Sequence, residues 1–150
     1  MNDLDEIDRK ILRELRNNAR ISNVDLADKV GLSASACLRR VQEMERSDLI
    51  IGYHARINRR QTGRGFLAYV SVGLSNHSKM SQAGFERAMA GAPQVVECHN
   101  ITGTFEYLLR VEVADIDSYK EFHTDILGAH SGVNSITSHI VMSSPKDERG

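Results

Sequence analysis

The feature that most constrains this chain is a change in the spacing of its apolar residues near position 65. Before it, apolar residues recur at three- and four-residue steps. Leu4, Ile7, Ile11, Leu12 and Leu15 form one stripe of an amphipathic helix, with Asp8, Arg9, Arg13 and Arg16 off it. After it, β-rich runs alternate with helical ones. A 150-residue chain accommodates one ordinary domain or two small ones, and the switch in period favours two.

The front half is punctuated by caps. Asn17-Asn18-Ala19-Arg20 stops the first helix. Ser22 stands at an N-cap position ahead of a short helix carrying Val24, Leu26, Ala27 and Val30, and Gly31 is placed to end it. Ser33 is a second N-cap only two residues later. It opens a helix from Ala34 to about Ser47 whose inward face is Cys37, Val41 and Met44. Two helices joined by a short turn with a glycine match a helix-turn-helix. Leu49 to Ile57 then forms a strand or a small wing. The polar, basic stretch 58–65 reads as a linker between residues 1–57 and residues 66–150.

The rear half reads β-α-β-β-α-β. Phe66–Leu74, Val95–Ile101, Phe105–Val113 and Val133–Met142 are strands; Ser78–Ala90 and Ile116–Leu127 are helices. In the third strand Tyr107, Leu109, Val111 and Val113 share one face, opposite Glu106, Leu108, Arg110 and Glu112. This order predicts a ferredoxin-like antiparallel sheet with both helices on one side. The fold class is therefore α+β. The sheet's other face needs cover, so at least a homodimer is expected.

Charge sorts with this division. The formal net charge is −1, but residues 1–65 carry 13 Lys/Arg against 10 Asp/Glu, while residues 66–150 carry 6 against 10. Seven arginines (Arg39, Arg40, Arg46, Arg56, Arg59, Arg60, Arg64) lie within 39–64. A basic front on an acidic rear points to a polyanion at one end. In a helix-turn-helix the second helix enters the major groove of double-stranded DNA with its first turns. Those positions are Ser33, Ser35, Ala36, Leu38 and Arg39: small residues for close approach, hydroxyls, a methyl contact and a guanidinium fork. Arg40 either joins them or forms a salt bridge within the motif. Arg56 and Arg59 are candidate phosphate contacts.

Other chemistries are not supported. The six histidines lack metal-ligand spacing, and the two cysteines, Cys37 and Cys98, are far apart and read as core thiols. Nothing assembles a nucleophile, base and orienter, so no enzyme and no cofactor is expected. No run is long enough to span a membrane. The acidic start, Met1 to Glu6, lacks the regions of a signal peptide. The expected location is cytoplasmic, at the nucleoid.

Several of these residues carry a family resemblance. Leu4-Asp5, Asp8, Ile11-Leu12 and Leu15, then Asn18-Ala19-Arg20-Ile21-Ser22, Leu26-Ala27, Val30-Gly31-Leu32-Ser33, and Cys37, Arg40-Val41 and Met44-Glu45 resemble the Lrp/AsnC (feast/famine) transcription regulators. Val95-Val96-Glu97-Cys98, Ile101-Thr102-Gly103 and Glu106-Tyr107-Leu108-Leu109 with Val111 resemble the ligand (RAM) domain of that family. The resemblance implies a winged or plain helix-turn-helix, a βαββαβ effector domain, homodimers that often assemble to octamers, and transcription controlled by a small amino-acid effector. It places the effector near Thr102, Gly103 and Thr104, with Glu106 for the ammonium, Thr137 or Ser138 adding a hydroxyl, and His99 bordering the side chain. Three positions depart from the usual pattern. Asp48 stands where the family has Gly, Thr104 and Glu106 replace two aspartates, and His99 stands where Tyr is common. An architectural DNA-binding protein without effector response, or a metabolite-sensing module associated with an enzyme, are the alternative readings.

Overall fold

The computed structural model describes residues 4–147; Met1, Asn2 and Asp3 of the acidic start lie outside them. Two compact units, Met1–Ala55 and Arg56–Gly150, divide the chain.

The first unit holds helices α1 (Glu6–Asn17), α2 (Asn23–Val30) and α3 (Ala34–Arg46). Side chains cap all three. Asp5 and Asp8 form a reciprocal capping box at α1. Ser22 Oγ accepts from Asp25 N, and Ser33 Oγ accepts from Ala36 N. Gly31, at φ 76°, ends α2 and turns the chain directly into α3. Asp48, at φ 57°, takes the left-handed position after α3, which a short polar side chain tolerates. Ile11, Leu26, Ala27, Val30, Cys37 and Met44 form the buried core, and burial pushes the Cys37 thiol pKa up.

Val24 is exposed, about 200° round α2 from buried Leu26. One expectation fails here. The segment Leu49–Ile57 forms no strand and no stranded wing. Leu49 N and Ile50 N both donate to Met44 O, closing α3, and 51–57 continues without a pairing partner.

The second unit is a four-stranded antiparallel sheet of order β2-β3-β1-β4, built from β1 (Phe66–Leu74), β2 (Val95–Asn100), β3 (Tyr107–Val113) and β4 (Val133–Ile140). Helix α4 (Lys79–Ala90) follows β1. Helix α5 (Ile116–Glu121) follows β3 and widens into a π-helical turn, Phe122–Leu127, where an ordinary helix was expected. Gly128 N closes that turn on His123 O. Ala68, Val70, Val72, Tyr107, Leu109 and Val111 face Phe85 and Met89 of α4 and Tyr119, Phe122 and Leu127 of the α5 segment. The order is the βαββαβ arrangement read from the sequence.

The opposite face is built from the alternate positions: Tyr69 across from Arg110 and His139, Ser71 across from Leu108 and Thr137, and His99 across from Leu108. The stretch 58–65, expected as a linker, folds onto this unit. Asn58 Oδ1 accepts from Arg60 N, Thr62 N donates to Asn58 O, and Arg64 Nη1 donates to Pro93 O. Arg110, expected on a polar face, is buried there. Its Nε donates to Glu112 Oε1 at 3.1 Å, while Glu97 and Asp147 each approach its guanidinium to 3.6 Å. Cys98, expected in the core, is exposed on the edge strand β2; partial burial and then Glu86 push its thiol pKa up.

Two stability measurements follow. Replacing Arg110 by Met removes the buried cation shared by Glu112, Glu97 and Asp147, with Arg59 the remaining cation near Glu112, so urea unfolding of the second unit loses about 3 kcal/mol. Adding Glu112→Leu restores part of that loss, and a native-like midpoint for Arg110→Met alone would show that the carboxylates find other partners. In the first unit, the Asp8 backbone N–H and then Arg40 hold the Asp5 carboxyl below its ordinary 3.8. A lowered folded value means stabilisation that is complete above the ordinary value and lost as pH falls through the lowered one. The stability gap between the native chain and Arg40→Met is therefore present at neutral pH and closes in acid. A gap independent of pH would assign it to packing.

Candidate functional sites

The first turns of α3 collect most of the residues expected to read DNA. Ser33, Ser35, Leu38 and Arg39 are exposed there, and Ala36 is half-buried. Ser33 Oγ caps the helix and lies 3.3 Å from Ser35 Oγ. Asn23 Nδ2 donates to Ala34 O at 2.8 Å, which ties the start of α2 to the start of α3. Arg39 has no ion pair among the described residues, so its guanidinium is available from the same turn. Arg40, one position round the helix, is not. Its Nη1 donates to Asp5 Oδ2 and Asp8 Oδ1, both at 2.7 Å. Of the two roles the sequence allowed Arg40, the structure contains the salt bridge within the motif.

Arg56 and Arg59 belong to the second unit and already have partners there. Arg56 Nη2 donates to Asp147 O at 3.0 Å, and Arg59 Nε lies 3.6 Å from Glu112 Oε1. The sequence reading took both as phosphate contacts, Arg56 at the end of the wing segment and Arg59 in the linker. The buried carboxylate of Glu112 and the carbonyl of the C-terminal segment draw them onto the sheet instead.

The residues expected around an effector divide between the two faces of the sheet. Thr102, Gly103 and Thr104 form the exposed turn between β2 and β3, with Gly103 at φ 121°. That turn is closed by Ile101 N donating to Glu106 O at 2.8 Å. Glu106 lies beside the end of β1. Its Oε2 accepts from Leu74 N at 2.6 Å, and its Oε1 lies 3.0 Å from His77 Nδ1. Gly73 makes room for this: a Cβ there would stand 2.3 Å from Ser135 Oγ and 3.6 Å from Glu106 Oε2.

Thr137 pairs with Ser71 and so lies on the open face, as does His99, whose Nε2 is 3.3 Å from Glu97 Oε2. Ser138 pairs with Val70 and lies on the helix-covered face, where it shares a hydrogen bond with the Tyr119 hydroxyl. The register therefore separates the two hydroxyls that the sequence left as alternatives. His77, Gly73, Ser135 and the Leu74 N–H were not expected at this site. His77 and the Leu74 N–H carry no pattern in the sequence, because only the β1 register brings them to Glu106. Behind the site, the Tyr107 hydroxyl donates to Glu86 Oε1 at 2.6 Å; burial and then this bond push the phenol pKa up to about 12.

As chemistry, the first site offers hydroxyls and the Arg39 guanidinium, which has no ion pair among the described residues, on an exposed helix start. The second offers an oriented carboxylate near an exposed glycine turn. Among the described residues, no group of three His, Cys, Asp or Glu side chains is arranged to hold a metal.

Comparisons with known proteins agree with both halves. Residues 4–45 match the AsnC-type helix-turn-helix domain, and residues 67–150 match the Lrp/AsnC ligand binding domain. The leucine-responsive regulatory protein of Salmonella typhimurium is 38% identical over 144 residues, covering 96% of this chain and 88% of that protein. A transcriptional regulator from Neisseria meningitidis, solved as a complex with L-Met, superposes with a TM-score of 0.92 at 32% identity, covering 97% of this chain and 94% of the other. An AsnC family transcriptional regulator from Agrobacterium tumefaciens does so with a TM-score of 0.89 at 33% identity, covering 95% and 93%. With both domains matched in order over nearly its whole length, the chain belongs to the Lrp/AsnC family of transcriptional regulators.

Proposed function

We propose that this protein is a sequence-specific DNA-binding regulator of amino-acid metabolism whose DNA binding or assembly responds to a small amino acid. The observation that carries the DNA half is the exposed start of α3, whose first two turns present Ser33, Ser35, Leu38 and Arg39, the last with no ion pair among the described residues. Arg40 supports that turn from behind by fixing α3 to the α1 cap. Arg56 and Arg59 are left out of the proposed DNA surface, because Asp147 and Glu112 of the second unit engage them.

The effector half rests on Glu106. An α-amino acid carries one cation and one anion, so its site needs a group for each. Glu106 takes the ammonium as a charge-assisted bond, and the backbone N–H groups of Thr102-Gly103-Thr104 take the carboxylate. Thr137 and Ser135 supply hydroxyls on the same face, and His99 borders the effector side chain. Ser138 is assigned to packing with Tyr119. The open face of the sheet is the surface for a homodimer, since a small domain gains stability by covering it. The match to a relative solved with L-Met makes methionine the first ligand to test. With no helix of the described residues long and apolar enough to cross a membrane, the proposed setting is the cytoplasm.

Each half has a direct measurement. Arg39→Ala costs roughly 1–3 kcal/mol on the cognate operator in fluorescence anisotropy, and much less on random DNA. Equal losses on both sequences would reassign Arg39 to the phosphate backbone. Glu106→Gln keeps a carbonyl for the Leu74 N–H but loses the anionic oxygen. Calorimetry with L-Met, then with the other protein amino acids, should show affinity reduced roughly tenfold to a hundredfold. DNA affinity of the free protein is unchanged. Failure of the native chain to bind any of them would favour the architectural reading.

A further inference from the structure

The two oxygens of Glu106 are held by partners of very different permanence. Oε2 accepts from the backbone N–H of Leu74, a buried residue at the end of β1. That donor leaves only if the strand end unravels. Oε1 meets the His77 imidazole, whose side chain is 72% exposed, against 17% for that of Glu106.

The backbone around His77 is pinned on both sides. Ser75 N donates to Gly132 O at 3.0 Å, and Ser78 N donates to Asn76 Oδ1 at 2.7 Å. Ser78 then caps α4 by accepting from Ser81 N. The imidazole can therefore leave Glu106 by rotating its own side chain, without displacing β1 or α4.

We propose that His77 is a removable counter-group on Glu106, which occupies the outward oxygen and swings off when an α-ammonium takes its place. The inference rests on the amino-acid reading above and adds the residue that regulates that site. The ammonium does not meet a bare carboxylate; it competes with an imidazole nitrogen already 3.0 Å from Oε1. Affinity is set by the difference between the two contacts. His77 is thus a specificity-determining residue for the effector: a ligand whose amine is acylated cannot offer the charge needed to displace it.

The exposed position of His77 makes substitution tolerable to the fold.

Calorimetric titration of the full chain with L-Met, and with the other protein amino acids, tests this on the native chain, His77→Ala and His77→Gln. At one fixed pH, His77→Ala should bind about threefold more tightly than native, because Oε1 is then open to the ammonium. His77→Gln, which keeps a polar side chain of similar reach, should fall between the two. Native-like or weaker affinity in His77→Ala overturns the role of His77 and leaves the amino-acid reading standing. Binding by His77→Ala but not by the native chain supports the proposal in its strongest form. No binding by any of the three proteins overturns the amino-acid reading, and this inference with it.

Discussion

β1 is hydrogen-bonded on both sides, and its double register decides which side chains in the second unit meet. Pairing Val72 with Tyr107 on one side and with Ile136 on the other brings Glu106, one residue before Tyr107, to the position of Gly73. The same register aims Val70, Leu109 and Val111 into the helix-covered core. A slip of one residue would invert both assignments at once, placing Glu106 among apolar side chains and Leu109 in water. Burial of the core thus fixes the orientation of the site; neither can change alone.

Arginine is used in this chain in two physically distinct ways. Arg40 and Arg110 are held by carboxylates close to or inside the folded units, and removing them takes away the shortest ion pairs that Asp5, Asp8 and Glu112 make there. Arg39, adjacent in sequence to Arg40, has no such partner among the described residues. A helical step of about 100° is enough to turn one guanidinium toward the α1 cap and its neighbour outward. The basic cluster of 39–64 is therefore not one uniform patch, and its charge count overstates what faces a polyanion.

Much of the front unit was legible because its signals are local. Ser22, Gly31 and Ser33 announce their caps through one side chain or one backbone conformation, and all three stand where the sequence put them. The strand order was legible from alternating period. What stayed hidden depends on pairing across distance. Arg110 looks like a surface residue on an alternating strand until Glu97 and Asp147 are brought to it. Thr137 and Ser138 look equivalent until the β1–β4 register separates them. Residues 58–65 look like a joint until Asn58 Oδ1 accepts from Arg60 N within the segment and Arg64 Nη1 donates to Pro93 O just before β2. The absent strand after α3 is the opposite case: β-branched residues signalled a strand, but nothing in that unit offers an edge to pair with.

The bond from Tyr107 to Glu86 has a consequence for the energetics of Glu106. With its phenol pKa near 12, Tyr107 remains a proton donor throughout the range in which the protein would work. It pins the start of β3 to α4 immediately beside the carboxylate, while the Leu74 N–H pins the carboxylate itself. A free glutamate side chain surrenders up to about 2 kcal/mol of rotamer entropy when a partner orders it. Here folding has already met that cost, so a cation arriving at Oε1 finds a receptor with its disorder spent in advance.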